Sequence, residues 1–314
     1  MGMLKDDPIV STYPEFLPTP QELCKAMEMI AQPEHEELLR ALETRISIAG
    51  CVESSMLRFC WQAKQDDEHD ENCARAALQW VQVALDSRQR LGMDTIFQGP
   101  FSPEFRDLYT STVPFSFHET DRFGHPVYIT RFGAVDMEAF ESLWEMGELM
   151  QEAAGLSANG MVLFHLRAIE YLTRVVMARE TLRQGRVVDR WLVIMDLDGI
   201  GLHHLDASLK AFLKSLSELS KLMFPEMMHA TIALNVPWYL SLAGWPLVRP
   251  FLHPVTQAKV SVFYSESSGL AKLLEFLDEE NIPPYLGGSC RCAECESGQL
   301  RGGSMFEWER SLEG

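Results

Sequence analysis

Residues 230–248 read ATIALNVPWYLSLAGWPLV, nineteen positions without a charged side chain. A run of about 20 apolar residues is long enough to cross a bilayer as a helix, so this segment decides between a membrane chain and a globular one. Pro237 lies inside it. A proline in a helix interior removes a backbone donor and clashes with the carbonyl four residues back. Asn235, Ser241, Gly244 and Pro246 add further polar or turn-forming positions. The run therefore divides into a buried strand at 230–234, a turn at 235–237 and a separate apolar helix, and a membrane span is not expected.

The rest of the chain fits a globular reading. It has 314 residues, 46% hydrophobic and 23% charged, enough to bury a sizeable core in about two units. Forty-five acids against 27 bases give a net charge of −18. That excludes a general nucleic-acid binder, which must neutralise phosphates, and constitutive docking on anionic membranes by charge alone. The first ten residues carry Lys5, Asp6 and Asp7 and no apolar run, so no secretory leader is expected. The seven cysteines are then expected as free thiols in a reducing compartment.

Periodicity sets the organisation. Four prolines mark residues 1–22 as an arm. Residues 22–48 are helical with a break at Pro33, 65–72 form an acidic loop, and 74–90 form a helix with Gly92 as its C-cap. Residues 1–105 thus make a helical N-terminal module. In 106–289 strands alternate with helices. Strands are expected at 126–132, 190–196, 230–234 and 258–264, and helices at 136–154, 158–182, 208–223 and 270–278. This pattern predicts an α/β fold with a mixed or parallel sheet. The run RWLVIMD at 190–196 predicts a strand buried on both faces. From 287 onward Gly, Ser and Cys predict a loose tail, counted as 290–314.

Two motifs compete. WLVIMDLDGIG at 191–201 resembles the opening motif of haloacid-dehalogenase-type phosphatases, with Asp196 and Asp198 as nucleophile and acid/base pair and Mg²⁺ beside them. However, Ile200 stands where that family has Thr or Val, the motif lies mid-chain, and 227–265 holds no acid to complete a metal site. Two acids at a strand exit remain the simpler reading, and no enzyme is expected.

The second motif is longer. Pro225-Glu226, Asn235-x-Pro237, Arg249-Pro250-Phe251-Leu252, Pro254-x-Thr256 and Lys259 resemble the signature of Sec14-like CRAL-TRIO lipid-transfer proteins. Asp121-x-x-Gly124-x-Pro126-Val127-Tyr128, Asp196-Leu197-x-Gly199-Ile200 and Ile282-Pro283 followed by Gly287-Gly288 extend the likeness in the family's order over about residues 50–292. The resemblance implies a helical N-terminal module followed by an α/β domain. The sheet of that domain floors an apolar pocket enclosing one lipid, and a gate helix closes the mouth.

The resemblance places the gate at about 237–252, with Trp238, Tyr239, Leu242, Trp245, Val248 and Phe251 facing the membrane. The residues agree, being too apolar for a helix with a solvated face. Residues 227–265 lack acids but hold Arg249 and Lys259, which removes charge repulsion where a gate would dock. The resemblance further assigns Glu226, Thr256 and Lys259 to a phosphatidylinositol headgroup and Tyr128 to a choline headgroup. Met227, His253 and Gly201 depart from the family pattern. Gly201 replaces a serine of the choline site, which favours the inositol lipid.

The implied activity is phospholipid binding and exchange between membranes. Bound lipid is the only ligand and no other cofactor is expected. The protein is expected to be cytoplasmic, peripheral and transient at membranes, with the membrane surface as partner, no nucleic acid and no identified protein partner. The alternatives are a lipid-responsive regulatory scaffold without net transfer and a carrier of a different hydrophobic ligand. His165 and Glu170 read as a satisfied helix histidine and a surface acid. Cys290, Cys292 and Cys295 lack a fourth cysteine, and no histidine follows His253. Because zinc takes four ligands, no metal site is expected.

Overall fold

The computed structural model describes residues 17–66, 71–98, 101–204, 206–239 and 254–311. The N-terminal module is helical: α1 Pro20–Ile30, α2 Glu36–Ala41, α3 Val52–Gln65 and α4 Glu71–Leu91. A capping box starts α1. Thr19 Oγ1 accepts the Glu22 N–H at 3.2 Å, and the Glu22 carboxylate accepts the Thr19 N–H at 2.7 Å. Leu23, Ala26, Ile30, Phe59, Ala63, Ala77 and Val81 form the bundle core. Glu22 also pairs with Lys64 at 3.1 Å, both buried. Helices α5 Met93–Gln98 and α6 Pro103–Thr112 follow.

The second unit is built on a five-stranded sheet: β1 Phe115–Thr120, β2 Pro126–Arg131, β3 Trp191–Asp196, β4 Met228–Leu234 and β5 Val260–Val262, in that spatial order. β1 and β2 form an antiparallel hairpin and the remaining pairs are parallel. A turn at Asp121–Gly124 joins the hairpin. Asp121 Oδ1 accepts the N–H groups of Phe123 and His125 at 2.9 and 2.8 Å, and Gly124 supplies φ +83°. Parallel strands need long crossovers. These are α7 Met137–Ala154, α8 Gly160–Tyr171 and its continuation through a π-helical stretch, Leu172–Val176, into α9 Met177–Gln184, and then α10 Ala207–Met223. α7 and α8 pack closely at Gly147, where a Cβ would stand 2.1 Å from Asn159 Oδ1. The expected α/β architecture with a mixed sheet is what folds.

The two sheet faces differ. Leu192, Ile194, Ile232 and Leu234 form the back core with Leu273, Phe276 and Leu277, the first two from α12 Glu266–Phe276. On the front, Trp191 and Tyr128 meet the α8–α10 core.

Several expectations need correction. β3 is not buried on both faces: Leu192, Ile194 and Asp196 are buried, whereas Trp191, Val193 and Met195 are only partly covered. The segment expected as strand 258–264 opens as helix α11 Pro254–Lys259 and leaves only three residues to β5. α12 starts at Glu266 because the Ser265 side chain caps it. β1 was not anticipated.

The stretch from 287 is no loose tail. It continues through α13 Ala293–Ser297 and α14 Ser304–Ser311 with Cys290, Cys295, Leu300 and Met305 buried. The Gly302 N–H donates to the Phe115 carbonyl at 2.7 Å, and Glu309 pairs with the buried Arg167. Glu170 is likewise no surface acid: it is 1% exposed and takes two bonds from Arg88, at 2.7 and 2.8 Å.

Candidate functional site

α10 ends at Met223, and Phe224-Pro225-Glu226 turns the chain into β4. Glu226 adopts φ +56°, a conformation costing an L-residue of order 1 kcal/mol. Two contacts hold it. Lys259 Nζ donates to Oε2 at 2.5 Å and Gln65 Nε2 donates to Oε1 at 2.7 Å. Thr256 and Lys259 lie three residues apart on α11 and so share a helix face. The Lys259 ammonium also sits 4.3 Å from the centroid of the buried Trp61 ring.

Glu226, Thr256, Lys259 and Gln65 line one cavity of about 790 Å³, together with Trp191 and Phe224. The sequence-predicted trio Glu226, Thr256 and Lys259 is thus brought together. Gln65 and Trp61 were missed. They come from the N-terminal module, and their only sequence signal is the i, i+4 spacing that puts both on one face of α3.

Tyr128 is elsewhere. It stands on β2 within an aromatic cluster, 5.8 Å from Phe115 and 5.7 Å from Phe117 between ring centroids. Burial pushes its hydroxyl pKa up. In register it faces Val193 on β3, which pairs in turn with Thr231 and then Val260. Of the expected gate residues, Trp238 is 71% exposed and Tyr239 donates its hydroxyl to the Ile200 carbonyl at 2.7 Å. Leu242, Trp245, Val248 and Phe251 lie outside the described residues.

The sheet floor beside this site is only partly covered. Side chains alternate across a strand, so Val193 and Met195 point away from the back core that takes Leu192 and Ile194. Among the described residues neither belongs to any buried cluster, although β3 is the central strand. On the central strand these two apolar side chains are thus left only partly covered.

Asp196 is committed differently. It accepts from Arg131 Nε at 3.1 Å, Asn235 Nδ2 at 2.9 Å and the Asp198 N–H at 3.1 Å, and is 2% exposed. Its carboxylate ties β2, β3 and the end of β4 together, which leaves little lone-pair capacity for a nucleophile.

The CRAL/TRIO domain profile matches residues 110–288. The chain belongs to the CRAL/TRIO family. It is 28% identical over 306 residues to the "SEC14 cytosolic factor" of Kluyveromyces lactis, covering 94% of this chain and 91% of that one. It is also 28% identical over 239 residues to the "Phosphatidylinositol/phosphatidylcholine transfer protein SFH4" of Arabidopsis thaliana, covering 76% of this chain. The chain spans only 36% of that plant relative's length. A solved structure titled "Crystal structure of Sfh5" superposes with a TM-score of 0.55 at 13% identity, covering 93% of this chain and 98% of that one, and shows the same fold. The CRAL/TRIO sheet, the helical module before it and the resemblance to Sec14-like proteins are thus shown. Among the described residues, no helix of this CRAL/TRIO protein is long and apolar enough to cross a membrane.

Proposed function

We propose that this CRAL/TRIO protein is a carrier that encloses one phospholipid, phosphatidylinositol, and exchanges it between membranes. The half-covered apolar floor of β3, ending beside a charged trio, carries this reading. Acyl chains laid over Val193 and Met195 would leave water at about 0.8 kcal/mol per buried CH₂. The headgroup would then lie toward Glu226, Thr256 and Lys259. The Lys259 ammonium can exchange the Glu226 carboxylate for a lipid phosphate. The carboxylate and the Thr256 hydroxyl can then bond inositol hydroxyls and phosphate oxygens. The relatives named for phosphatidylinositol and phosphatidylcholine transfer support the ligand class. Tyr128 has no part in the inositol site. Its place on the front of β2 suits contact with a choline headgroup or an acyl chain.

Exchange requires an opening, and we assign it to 237–252. Trp238, 71% exposed at the start of this segment, supports docking on a membrane, since indole rings favour the headgroup boundary. The relatives called cytosolic factors support a cytoplasmic protein that visits membranes transiently. No catalytic step is needed.

The test is extraction of the purified protein with organic solvent and identification of bound lipid by mass spectrometry, followed by transfer assays between donor and acceptor vesicles. Stoichiometric phosphatidylinositol in wild type, lost in Lys259→Ala, is the expected result. A different lipid, retained by the variant, moves the ligand assignment. Bound lipid without vesicle transfer replaces the carrier with a lipid-responsive scaffold.

A further inference from the structure

The end of the chain gathers four metal-binding side chains at one point. Cys290 follows the Gly287-Gly288 exit, and Cys292 and Cys295 flank the first turn of α13. His118 reaches them from β1, more than 170 positions upstream. One ligand atom from each of the four residues falls within 4.8 Å of all the others. His118 Nδ1 is 3.9 Å from Cys292 Sγ and 4.0 Å from Cys295 Sγ, and the other ring nitrogen, Nε2, is 3.6 Å from Cys290 Sγ and 3.8 Å from Cys295 Sγ. Zinc–sulfur bonds of about 2.3 Å and a zinc–nitrogen bond of about 2.0 Å give tetrahedron edges of roughly 3.5–3.8 Å. With all four donors inside 4.8 Å, small side-chain shifts would close them on one ion.

We propose that Cys290, Cys292, Cys295 and His118 form a structural zinc site. Three thiolates and one imidazole match the closed Cys₃His set, which favours zinc among the divalent ions. The surroundings suit a metal site. The Asn281 carbonyl lies 3.2 Å from His118 Nε2 and accepts a hydrogen bond from its N–H. This outer contact orients the ring and leaves the Nδ1 lone pair for the metal. His118, Cys290 and Cys295 are buried, so the site is shielded. Cys292 is exposed and gives the ion an entrance. Cys290, Cys292 and Cys295 are free thiols, so no disulfide competes for these sulfurs. On binding, the thiols release their protons to solvent and the ion bridges β1 to the segment after the domain exit. That segment also carries Glu294, whose carboxylate accepts from Ser116 on β1, and α14, which packs on the α8 core through Trp308. Zinc therefore pins the C-terminal segment where it seals β1.

The full chain, purified under reductant in metal-free buffer, is assayed by plasma mass spectrometry. About one zinc per chain is expected, lost in Cys292→Ser and in His118→Gln. Chelator-stripped wild type titrated with Co²⁺ is expected to show thiolate-to-cobalt charge transfer and the visible bands of a tetrahedral ion. Cys292→Ser, altered at an exposed position, shows neither while keeping the wild-type circular dichroism. Stripping is also expected to open 290–311 to protease. The proposal is overturned if folded wild type takes up neither zinc nor tetrahedral Co²⁺, if both variants keep the metal, or if the cysteines prove to be joined in a disulfide.

Discussion

Replacing Lys259 by Met removes an ammonium and keeps the length of its stem. The lysine side chain is 4% exposed and that of Glu226 is 9%, so the variant strands a carboxylate in a nearly dry place. Removing one partner of such a pair costs about 3–5 kcal/mol. Two features of the site refine that figure. Gln65 still donates one bond to Glu226 at 2.7 Å, which moves the cost toward about 3 kcal/mol. The stacked contact with Trp61 is also lost, adding about 0.5–1 kcal/mol. For a chain of this size each kcal/mol shifts the melting temperature by about 2–3 °C, so Lys259→Met should melt roughly 7–12 °C below wild type. Adding Glu226→Gln leaves no charge to strand and keeps an amide for Gln65 to bond. The double variant should recover to within about 1 kcal/mol of wild type. Differential scanning calorimetry reads both values, and lipid analysis of the same samples should show phosphatidylinositol lost in each. Stability and ligand capture would then be separated. A single variant as stable as wild type, or a double variant no better than the single, refutes the coupling on which the headgroup site is built.

Other outcomes are equally specific. Val193→Trp crowds the partly covered front of β3 and should abolish lipid retention, at a cost of about 1–3 kcal/mol in stability. Ile194→Ala, one residue on but in the back core, should cost about 2–5 kcal/mol and leave the lipid unaffected. Burial lowers the His165 pKa to about 4, against about 6.5 unfolded. Between those values the unfolded chain binds the extra proton, so stability is full above pH 6.5 and falls as pH drops toward 4, by up to about 3 kcal/mol. His165→Gln should flatten that part of a melting-temperature profile. Glu309→Ala strands Arg167, itself 1% exposed, and should cost about 3–5 kcal/mol in urea unfolding, although it lies five residues from the end of the chain.

Local patterns carried much of this fold. The 3.6-residue period marked most of the longer helices, and the apolar runs at 190–196 and 230–234 marked two of the three inner strands. What stayed hidden was long-range. FSFHET at 115–120 is short, and its identity as β1 depends on pairing with β2. The partly covered front of β3 was invisible because a strand buried on one face and a strand buried on both can be equally apolar. The spaced motif singled out Glu226, Thr256 and Lys259, yet their partner Gln65 lies 161 positions from Glu226. The cysteine cluster shows the same effect: nothing downstream completes it, and the fourth donor arrives from β1 through the topology of the sheet.

Helix α4 holds a last consequence. Its first half, from Cys73 to Ala84, lies in the bundle core, whereas Leu91 belongs to the core of the CRAL/TRIO unit. Between them Arg88 sends both terminal nitrogens to Glu170 on α8. One rod anchored in two cores transmits torque without a hinge, and the buried ion pair locks its rotation. The helical module is therefore no detachable leader. A chain cut near residue 105 and expressed in halves would leave a guanidinium on one fragment and a carboxylate on the other, each shaped for a burial it no longer has. Domain exchange within this architecture would have to carry Arg88 and Glu170 together, so the two units would be inherited as a pair.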